Sequence, residues 1–418
     1  MGVMFPPEIW LIILKKLDRR TLMEMRLVSR FFYDIVEEYF EKNNVWRKLC
    51  DEDILFECKT LTMQRAHPYE LIIHQNQVTD PALWRGTFFS HKKWRKAMEL
   101  EEKKDSIVPL PTLGEIKCIS TFDKYIAVAF SYGTINVYTI DDINIPFYMA
   151  NHDNEINQIE FWYSSGDILI VSLDVDHGMR FWDINKHIEI ATAGFFANSI
   201  STGECRHFCL AEMDGILTSY EKVDDQIIAG PTLSFRLQNE EVLGHCLDGK
   251  NMTALTYHEG HTKMYLYHGL IENGKLNKLL MDQEKDFIEL PDDLNNFLER
   301  ISMPTILFFF VIGAMSVGST NYYEDEWNEF QLSDHFGSNV ISMALHAQVL
   351  MFGLENGAIH LLWIKDYQEI LELQERIKNS RKIQVDDKPI VNISVLEVNK
   401  NPCIVAHTEE KVHLINFY

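Results

Sequence analysis

Apolar side chains recur at helical spacing in the first fifty residues of this chain. Ile9, Ile13 and Leu17 stand four residues apart, which places them along one face of a helix. Trp10 and Leu14 lie largely off that face and are apolar too. A helix that is apolar on nearly every side has to be covered on more than one side. The pattern therefore predicts a short helix with more apolar surface than its own unit can bury.

Two further helices are predicted directly after the first. Thr21 and Glu24 have the spacing of a capping box, so Thr21 is expected to begin a second helix. Ser29 is expected to cap a third helix that runs to about Glu41. Three helices in about 45 residues bury too little of their surface to be stable alone. We therefore expect this unit to bind a partner, and not only to cover one end of the chain.

The N-terminal residues together resemble the F-box family. The similarity lies in 5–9, 13–14, 17–18, Leu22, 27–30, Phe32 and 45–46, with Phe5 and Phe32 in place of the usual Leu and Trp. The resemblance implies binding to the Skp-type adaptor of a cullin–RING ubiquitin ligase, and through it to the cullin and RING subunits. The residues that it assigns to the adaptor surface are Phe5, Pro6, Pro7, Glu8, Ile9, Trp10, Ile13, Leu14, Leu17, Leu22, Leu27 and Val28.

A helical segment is predicted to follow the F-box-like residues. Pro81 opens a helix over 81–97 that carries Trp84 and Phe88 on one face. This Trp-x-x-x-Phe helix resembles the linker of F-box/WD-repeat proteins. The basic cluster at 92–96 has three interpretations: a nuclear signal, a nucleic-acid patch or a solvated helix end. The alternating charges that follow it favour the solvated helix end.

From Leu113 onward the pattern changes to short apolar runs rich in β-branched and aromatic residues. A strand, a turn with Gly or Asp and a second strand recur at roughly 40–50 residues, the length of one propeller blade. Seven such units predict a seven-bladed β-propeller, although the irregular stretch 270–330 leaves the count open by one. The turns of the seven units are placed at 133, 178, 215, 260, 318, 357 and 410.

One unit resembles a WD repeat and ends in Trp182-Asp183. In that family a His, a Ser or Thr, an Asp and the Trp form a buried hydrogen-bond chain within the blade. The resemblance assigns these structural roles to His152, Ser172, Asp176 and Trp182. A catalytic His–Asp–Ser site is the alternative interpretation, and the WD spacing favours the structural one.

The chain has 418 residues, which is long enough for two or three domains. The predicted fold class is α plus all-β, with three segments. An F-box occupies 1–50, a helical linker 51–110 and a seven-bladed WD-repeat-like β-propeller 111–418. The function that this order implies is that of a substrate-recognition subunit of an SCF-type ubiquitin ligase. A propeller scaffold that binds the adaptor without promoting ubiquitylation is the alternative.

Charge narrows the class of partner. The formal net charge is −23, but residues 1–104 carry 18 basic and 16 acidic side chains, whereas the remainder carries 21 and 46. An acidic body disfavours nucleic acid and anionic membranes as partners. It favours a basic target protein. The acidic-aromatic stretch with Tyr323, Glu324, Asp325 and Trp327 is a candidate target-binding loop or an ordinary hairpin, and Arg180 is a further candidate.

Cysteine usage and motifs indicate neither a metal nor a cofactor. Seven scattered cysteines suit reduced thiols, and no secretory signal is expected, so the predicted location is cytoplasm or nucleus. Cys205 and Cys209 lack the second Cys or His pair of a zinc site. No nucleophile motif or phosphate loop supports a hydrolase or lyase. The chain is therefore expected to be a non-catalytic receptor subunit without metal or cofactor.

Overall fold

The computed structural model shows N-terminal helices that precede a body made mostly of β-sheet. The predicted α plus β order is confirmed at this level. The structure describes residues 5–417 except for 71–77, 110–112, 191–195, 203–207, 212–215, 225, 237–239, 249–250, 259–263, 273–274, 279–297, 303–305, 312–313, 320–326, 367–368, 370–371 and 399.

The helices before the body begin at capping residues. They are α1 Pro7–Leu14, α2 Arg19–Met25, α3 Arg30–Lys42, α4 Val45–Asp53, α5 Phe56–Ala66 and α6 Pro81–Ala97. Ser29 caps α3 as predicted, since its Oγ accepts the Phe32 N–H at 3.3 Å. Asp18, and not Thr21, caps α2: its Oδ1 accepts the Thr21 N–H at 2.9 Å. The carboxylate satisfies an otherwise free N–H of the first turn, so the helix begins earlier than the capping box predicts.

A buried ion pair joins the first three helices to those that follow. Glu37 of α3 pairs with Arg26, and both side chains are buried. Trp46 of α4 donates its Nε1–H to Glu37 at 3.4 Å, and the Arg85 Nη1 of α6 lies 3.3 Å from the same carboxylate. A buried charge is tolerated only with such partners. These contacts therefore fix α3 against α4 and α6.

In the part that the structure describes, the body contains twenty-eight strands, two short α-helices, α7 Ser333–Phe336 and α8 Leu373–Arg376, and the 3-10 helix Ile377–Asn379. The strands are β1 Glu102–Ile107, β2 Ile116–Phe122, β3 Tyr125–Phe130, β4 Thr134–Thr139, β5 Tyr148–Asn151, β6 Ile156–Ser164, β7 Asp167–Asp174, β8 Met179–Asp183, β9 Ile188–Ile190, β10 Ser199–Ser201, β11 Phe208–Ala211, β12 Ile216–Val223, β13 Gln226–Arg236, β14 Glu240–Asp248, β15 Asn251–His258, β16 Met264–Glu272, β17 Lys275–Lys278, β18 Leu298–Ser302, β19 Ile306–Val311, β20 Ala314–Ser319, β21 Trp327–Gln331, β22 Val340–His346, β23 Val349–Leu354, β24 Ala358–Trp363, β25 Arg381–Gln384, β26 Asn392–Val398, β27 Asn401–His407 and β28 Val412–Phe417.

The described strands pair as seven antiparallel four-stranded sheets. Six sheets are built from four consecutive strands each, namely β2–β5, β6–β9, β10–β13, β14–β17, β18–β21 and β22–β25. The first strands contact one another between neighbouring sheets, in the order β18, β22, β26, β2, β6, β10, β14. The sheets therefore stand side by side and contact one another through their first strands.

The seventh sheet has the order β1-β28-β27-β26 and combines distant parts of the chain. Glu102 pairs with Phe417 and Ile107 with Val412. Strand β1 lies within the range 51–110 for which the sequence predicts a helical linker. Only Ile107 of this strand is buried. An outer strand with one buried side chain lacks the alternating apolar pattern by which strands are recognised.

The predicted turns agree with the structure at several of the seven positions. Gly133, Gly178 and Gly357 lie between the second and third strands of their sheets, and Glu410 lies between β27 and β28. Gly318 is a correction, because it lies inside β20 and pairs with Leu307 and Trp327. The apolar run at 306–317 contains β19 and most of β20, so the glycine that directly follows the run lies in a strand. Positions 215 and 260 lie outside the described residues.

The connector helices α5 and α6 lie against one end of the sheets. This end carries the turns between first and second strands. Tyr69, which follows α5, donates its Oη–H to Asp123 in the β2–β3 turn at 2.6 Å. Lys93 of α6 donates to the Lys400 carbonyl oxygen in the β26–β27 turn at 2.6 Å. We call this end the connector face.

Gln348, in the β22–β23 turn, is a buried anchor for both connector helices. Its Oε1 accepts the Leu55 N–H at 3.1 Å and lies 2.9 Å from His91 Nε2. Its Nε2 donates to the Ile364 carbonyl oxygen at 2.7 Å. Burial lowers the pKa of His91 to about 4, so the ring is neutral and donates Nε2–H to the amide oxygen.

Glu397 of β26 is the second buried anchor. Ser90 Oγ and Trp94 Nε1 of α6 both donate to its carboxylate, the latter at 3.2 Å. His346 Nε2 lies 3.9 Å away. Burial raises the pKa of Glu397, but His346 and the hydrogen bonds from Ser90 and Trp94 outweigh burial and hold the pKa below its ordinary value. The charged carboxylate therefore stabilises the docked position of α6.

The depressed pKa of Glu397 predicts an acid-dependent loss of stability. Its contribution is present above the ordinary glutamate pKa of about 4.3 and is lost as the pH falls through the lower folded value. We expect Glu397→Gln to lower the free energy of unfolding by about 1–3 kcal/mol at pH 7. The difference from the unmodified protein should shrink below pH 4. Thermal melting at several pH values measures it, with exposed Glu99→Gln as control; a pH-independent difference would contradict the prediction.

Candidate protein-binding surfaces

Large apolar side chains are exposed on the N-terminal helices. Leu27 and Val28, in the turn between α2 and α3, expose 86% and 68% of their surface. Phe5, Ile9 and Ile12, in and before α1, are exposed as well. Contiguous exposed apolar surface in a folded protein marks an interaction site.

Aromatic contacts join α1 to the start of α3, the helix that directly follows Leu27 and Val28. Trp10 of α1 packs edge-on against Phe32 at the start of α3, with ring centroids 5.0 Å apart. It also contacts Phe31 and Phe5 at 6.2 and 5.9 Å. The residues 27–28 come directly before α3. We name the surface formed by Phe5, Ile9, Ile12, Leu27 and Val28 the apolar F surface.

The structure separates the predicted adaptor-binding residues by burial. Leu14 and Leu22 are 0% and 3% exposed and belong to the core, so their side chains hold the helices together and do not face a partner. Ile12 was not among the predicted residues. The apolar character of α1 on nearly every side could have identified it as part of the exposed surface. Phe5, Pro6, Glu8, Ile9, Leu27 and Val28 are exposed, Trp10, Ile13 and Leu17 are half-buried, and the Pro7 side chain lies outside the described part.

Asp174, instead of the predicted Asp176, is the acidic partner in the WD-like sheet. Its Oδ2 lies 3.2 Å from His152 Nδ1. Its Oδ1 accepts the N–H groups of Asp176 and Gly178 at 3.0 and 2.7 Å. Ser172 and Asp174 stand two residues apart on β7 and so share one face. Asp176 lies beyond the strand end, with its side chain in solvent.

The other predicted members of this cluster are buried within the sheet. The His152 ring lies edge-on to Trp182 with centroids 6.0 Å apart. Burial lowers the pKa of His152, against the opposing charge of Asp174. Ser172 is fully buried, so its hydroxyl cannot reach a substrate. Burial therefore argues against the catalytic interpretation. The predicted hydrogen-bond chain is not formed either, because Ser172 Oγ and His152 Nε2 are buried without a hydrogen-bond partner among the described residues.

Little of the candidate target-binding loop can be placed. Tyr323, Glu324 and Asp325 lie outside the described residues, and Trp327 begins β21. Arg180 is described and is occupied by two carboxylates: it pairs with Asp153, and its Nη1 lies 3.5 Å from Glu189. Arg180 therefore serves first to neutralise its acidic neighbours.

The described residues offer no group of three or more His, Cys, Asp or Glu side chains that could hold a metal. Cys205 lies outside them. Burial raises the pKa of the Cys50 and Cys403 thiols to about 12, so both stay protonated near pH 7. Among the described helices, none combines the length and apolar character needed to cross a bilayer.

Comparison with known proteins finds similarity for the N-terminal helices and for the fold of the body. The F-box domain family matches residues 4–39. Saccharomyces cerevisiae Sqt1 aligns with 73% of this chain and 96% of its own, at 11% identity and a TM-score of 0.51. The β-propeller domain of Myceliophteria thermophila Cps50 (Swd1) aligns with 76% of this chain and 100% of its own, at 10% identity and a TM-score of 0.51. No curated protein matches in sequence. At these identities the structural likeness shows the fold alone.

The two aspartates of the WD-like sheet should differ sharply when each is replaced. Asp174→Ala leaves the Asn154 side-chain amide and two backbone N–H groups without their acceptor, and we expect a loss of about 2–4 kcal/mol in the free energy of unfolding. Asp176→Ala should change it by less than about 0.5 kcal/mol, as for an exposed site. Chemical denaturation of the full chain compares the two; equal losses would contradict the assignment.

Proposed function

We propose that this chain, in which an F-box domain precedes a body resembling WD40 β-propellers as in F-box/WD-repeat proteins, is a substrate-recognition subunit of an SCF-type ubiquitin ligase. The F-box would bind the Skp-type adaptor, which connects it to the cullin and RING subunits. The body would bind the protein to be ubiquitylated. No family with a catalytic activity is indicated, so the proposed role is one of binding.

The observation that carries the proposal is the apolar F surface. Leu27 and Val28 are more exposed than any other large apolar side chain near them, and nothing in the described chain covers them. Large apolar groups in water are stabilised when a partner buries them, at about 25 cal/mol per Å². They lie within the residues that match the F-box domain. The surface therefore suits the adaptor.

We further propose that the body closes into a seven-bladed propeller. The first strands already follow one another from β18 through β26 and β2 to β14, which includes all seven described sheets. A closed ring would place β14 beside β18. The pairing of β1 with β28 supports closure, because it ties the first strand of the body to the last within one sheet.

The mechanism proposed for the chain is proximity. The anchors Gln348 and Glu397 hold α6 on the connector face, and Glu37 holds the F-box helices on α6. A bound target would thus be kept at a fixed distance from the ubiquitin-conjugating enzyme, and its lysines would be present at a raised local concentration. Because the connector occupies one end of the sheets, the opposite end is the one open to a target.

Adaptor binding should depend on the exposed side chains and not on the core. We expect Leu27→Asp with Val28→Asp to weaken binding to a purified Skp-type adaptor at least about a hundredfold, since hot-spot substitutions cost 2 kcal/mol or more each. The melting temperature should hardly change. Titration calorimetry measures the binding.

Ile145→Asp with Met149→Asp is the matched control, because both of these apolar residues are exposed on the body, outside the residues that match the F-box domain. This control should bind the adaptor normally. Unchanged binding by the Leu27 and Val28 variant would refute the proposed adaptor surface. Normal adaptor binding without target ubiquitylation in a reconstituted ligase would favour the scaffold alternative.

A further inference from the structure

The end of the sheets opposite the connector face carries a row of exposed apolar side chains. Tyr132, in the β3–β4 turn, exposes 72% of its surface. Val175, in the β7–β8 turn, exposes 51%, and Phe196, before β10, exposes 57%. We call this end, which carries the turns between second and third strands, the turn face.

Backbone hydrogen bonds show that these three residues belong to one continuous strip. The His152 N–H donates to the Gly133 carbonyl oxygen at 2.7 Å, which joins the turn of Tyr132 to residues 152–155. The Val175 N–H donates to the Glu155 carbonyl oxygen at 2.9 Å. Phe196 forms a β-bridge with Gly178 at the end of the next turn. The strip therefore runs across two neighbouring sheets into a third.

Carboxylates border the strip, and Lys117 and Arg180 beside it are each already paired with two carboxylates. Lys117 lies between two of them, 3.3 Å from Glu115 and 3.1 Å from Glu155. Asp176 and Glu409 are exposed, and neither forms an ion pair with any residue that the structure describes. Glu409 adjoins the strip through its carbonyl oxygen, which accepts the N–H of Ile116 at 2.8 Å.

We propose that the turn face binds an extended segment of a partner protein in which Lys or Arg alternates with bulky apolar residues. This inference rests on the proposed function and names the chemistry of its target. Tyr132 and Phe196 supply apolar area and ring faces for cations, while the bordering carboxylates pair with the basic side chains. The same carboxylates repel the phosphates of nucleic acid.

A peptide probe tests the surface on the full chain. The probe is a fluorescein-labelled peptide of four Lys-Leu-Arg-Ser repeats, and its binding is followed by fluorescence anisotropy. Two matched peptides replace either the basic residues by Glu or the Leu residues by Gly. We expect the first to bind, with an affinity that falls as salt is added, and both replacements to weaken binding at least about tenfold.

Paired variants locate the binding site. Tyr132→Ser with Phe196→Ser removes the apolar anchors, and Asp176→Lys with Glu409→Lys reverses the border charge. Each should weaken binding about tenfold or more. Asp141→Lys with Asp142→Lys is the control, because it makes the same change in net charge at exposed residues beyond the other end of β4. The control should bind the probe normally.

Three results would overturn the proposal. The first is equal weakening by the control, which would mean attraction by net charge alone. The second is unchanged binding in both turn-face variants. The third is a dimer in sedimentation that dissociates on Tyr132→Ser with Phe196→Ser, which would make a second copy the occupant. Adaptor binding measured on the same samples keeps these outcomes separate from failure of the proposed function, because the F-box residues are unchanged in every variant.

Discussion

The contact between the connector helices and the sheets depends on buried hydrogen bonds that have few alternative partners. Gln348, in the β22–β23 turn, bonds to residues of both connector segments, and Glu397, near the end of β26, bonds to α6. A buried polar group left without a partner costs about 1–3 kcal/mol. Purely apolar contact would tolerate sliding of the helix, whereas these bonds are satisfied in one register. The position of the F-box helices relative to the body follows from this register.

Two interaction surfaces then differ in chemistry as well as position. The apolar F surface consists of aliphatic and aromatic side chains at the end of a charge-balanced helical arm. The strip on the turn face has comparable apolar side chains, but carboxylates stand beside them. A charged border selects partners mainly through repulsion and through the rate of encounter. Under the two proposals, the chain combines a surface suited to one apolar partner with a surface that discriminates between partners by charge.

The sequence was sufficient to predict features that depend on residues close together in the chain. The bounds of α6 and β3, and the cap at Ser29, follow from proline, turn and capping chemistry that operates within a few residues. Sequence could not distinguish Asp174 from Asp176, because that choice depends on which carboxylate faces His152, and His152 follows the last strand of the neighbouring sheet. The docking roles of Gln348 and Glu397 could not be predicted from the sequence either, because their partners are about 250 to 300 residues away in the chain.

The pairing of β1 with β28 has a consequence for how the protein is made. The F-box helices and β1 leave the ribosome early, whereas β28 leaves it after every other described strand of the body. Domains generally fold as units during synthesis, at about 5–20 residues per second. The sheet that contains β1 cannot form until translation has reached its final strand. During that interval of tens of seconds the N-terminal helices are already outside the ribosome, so a partner of the apolar F surface can meet them before the sheet that contains β1 is complete.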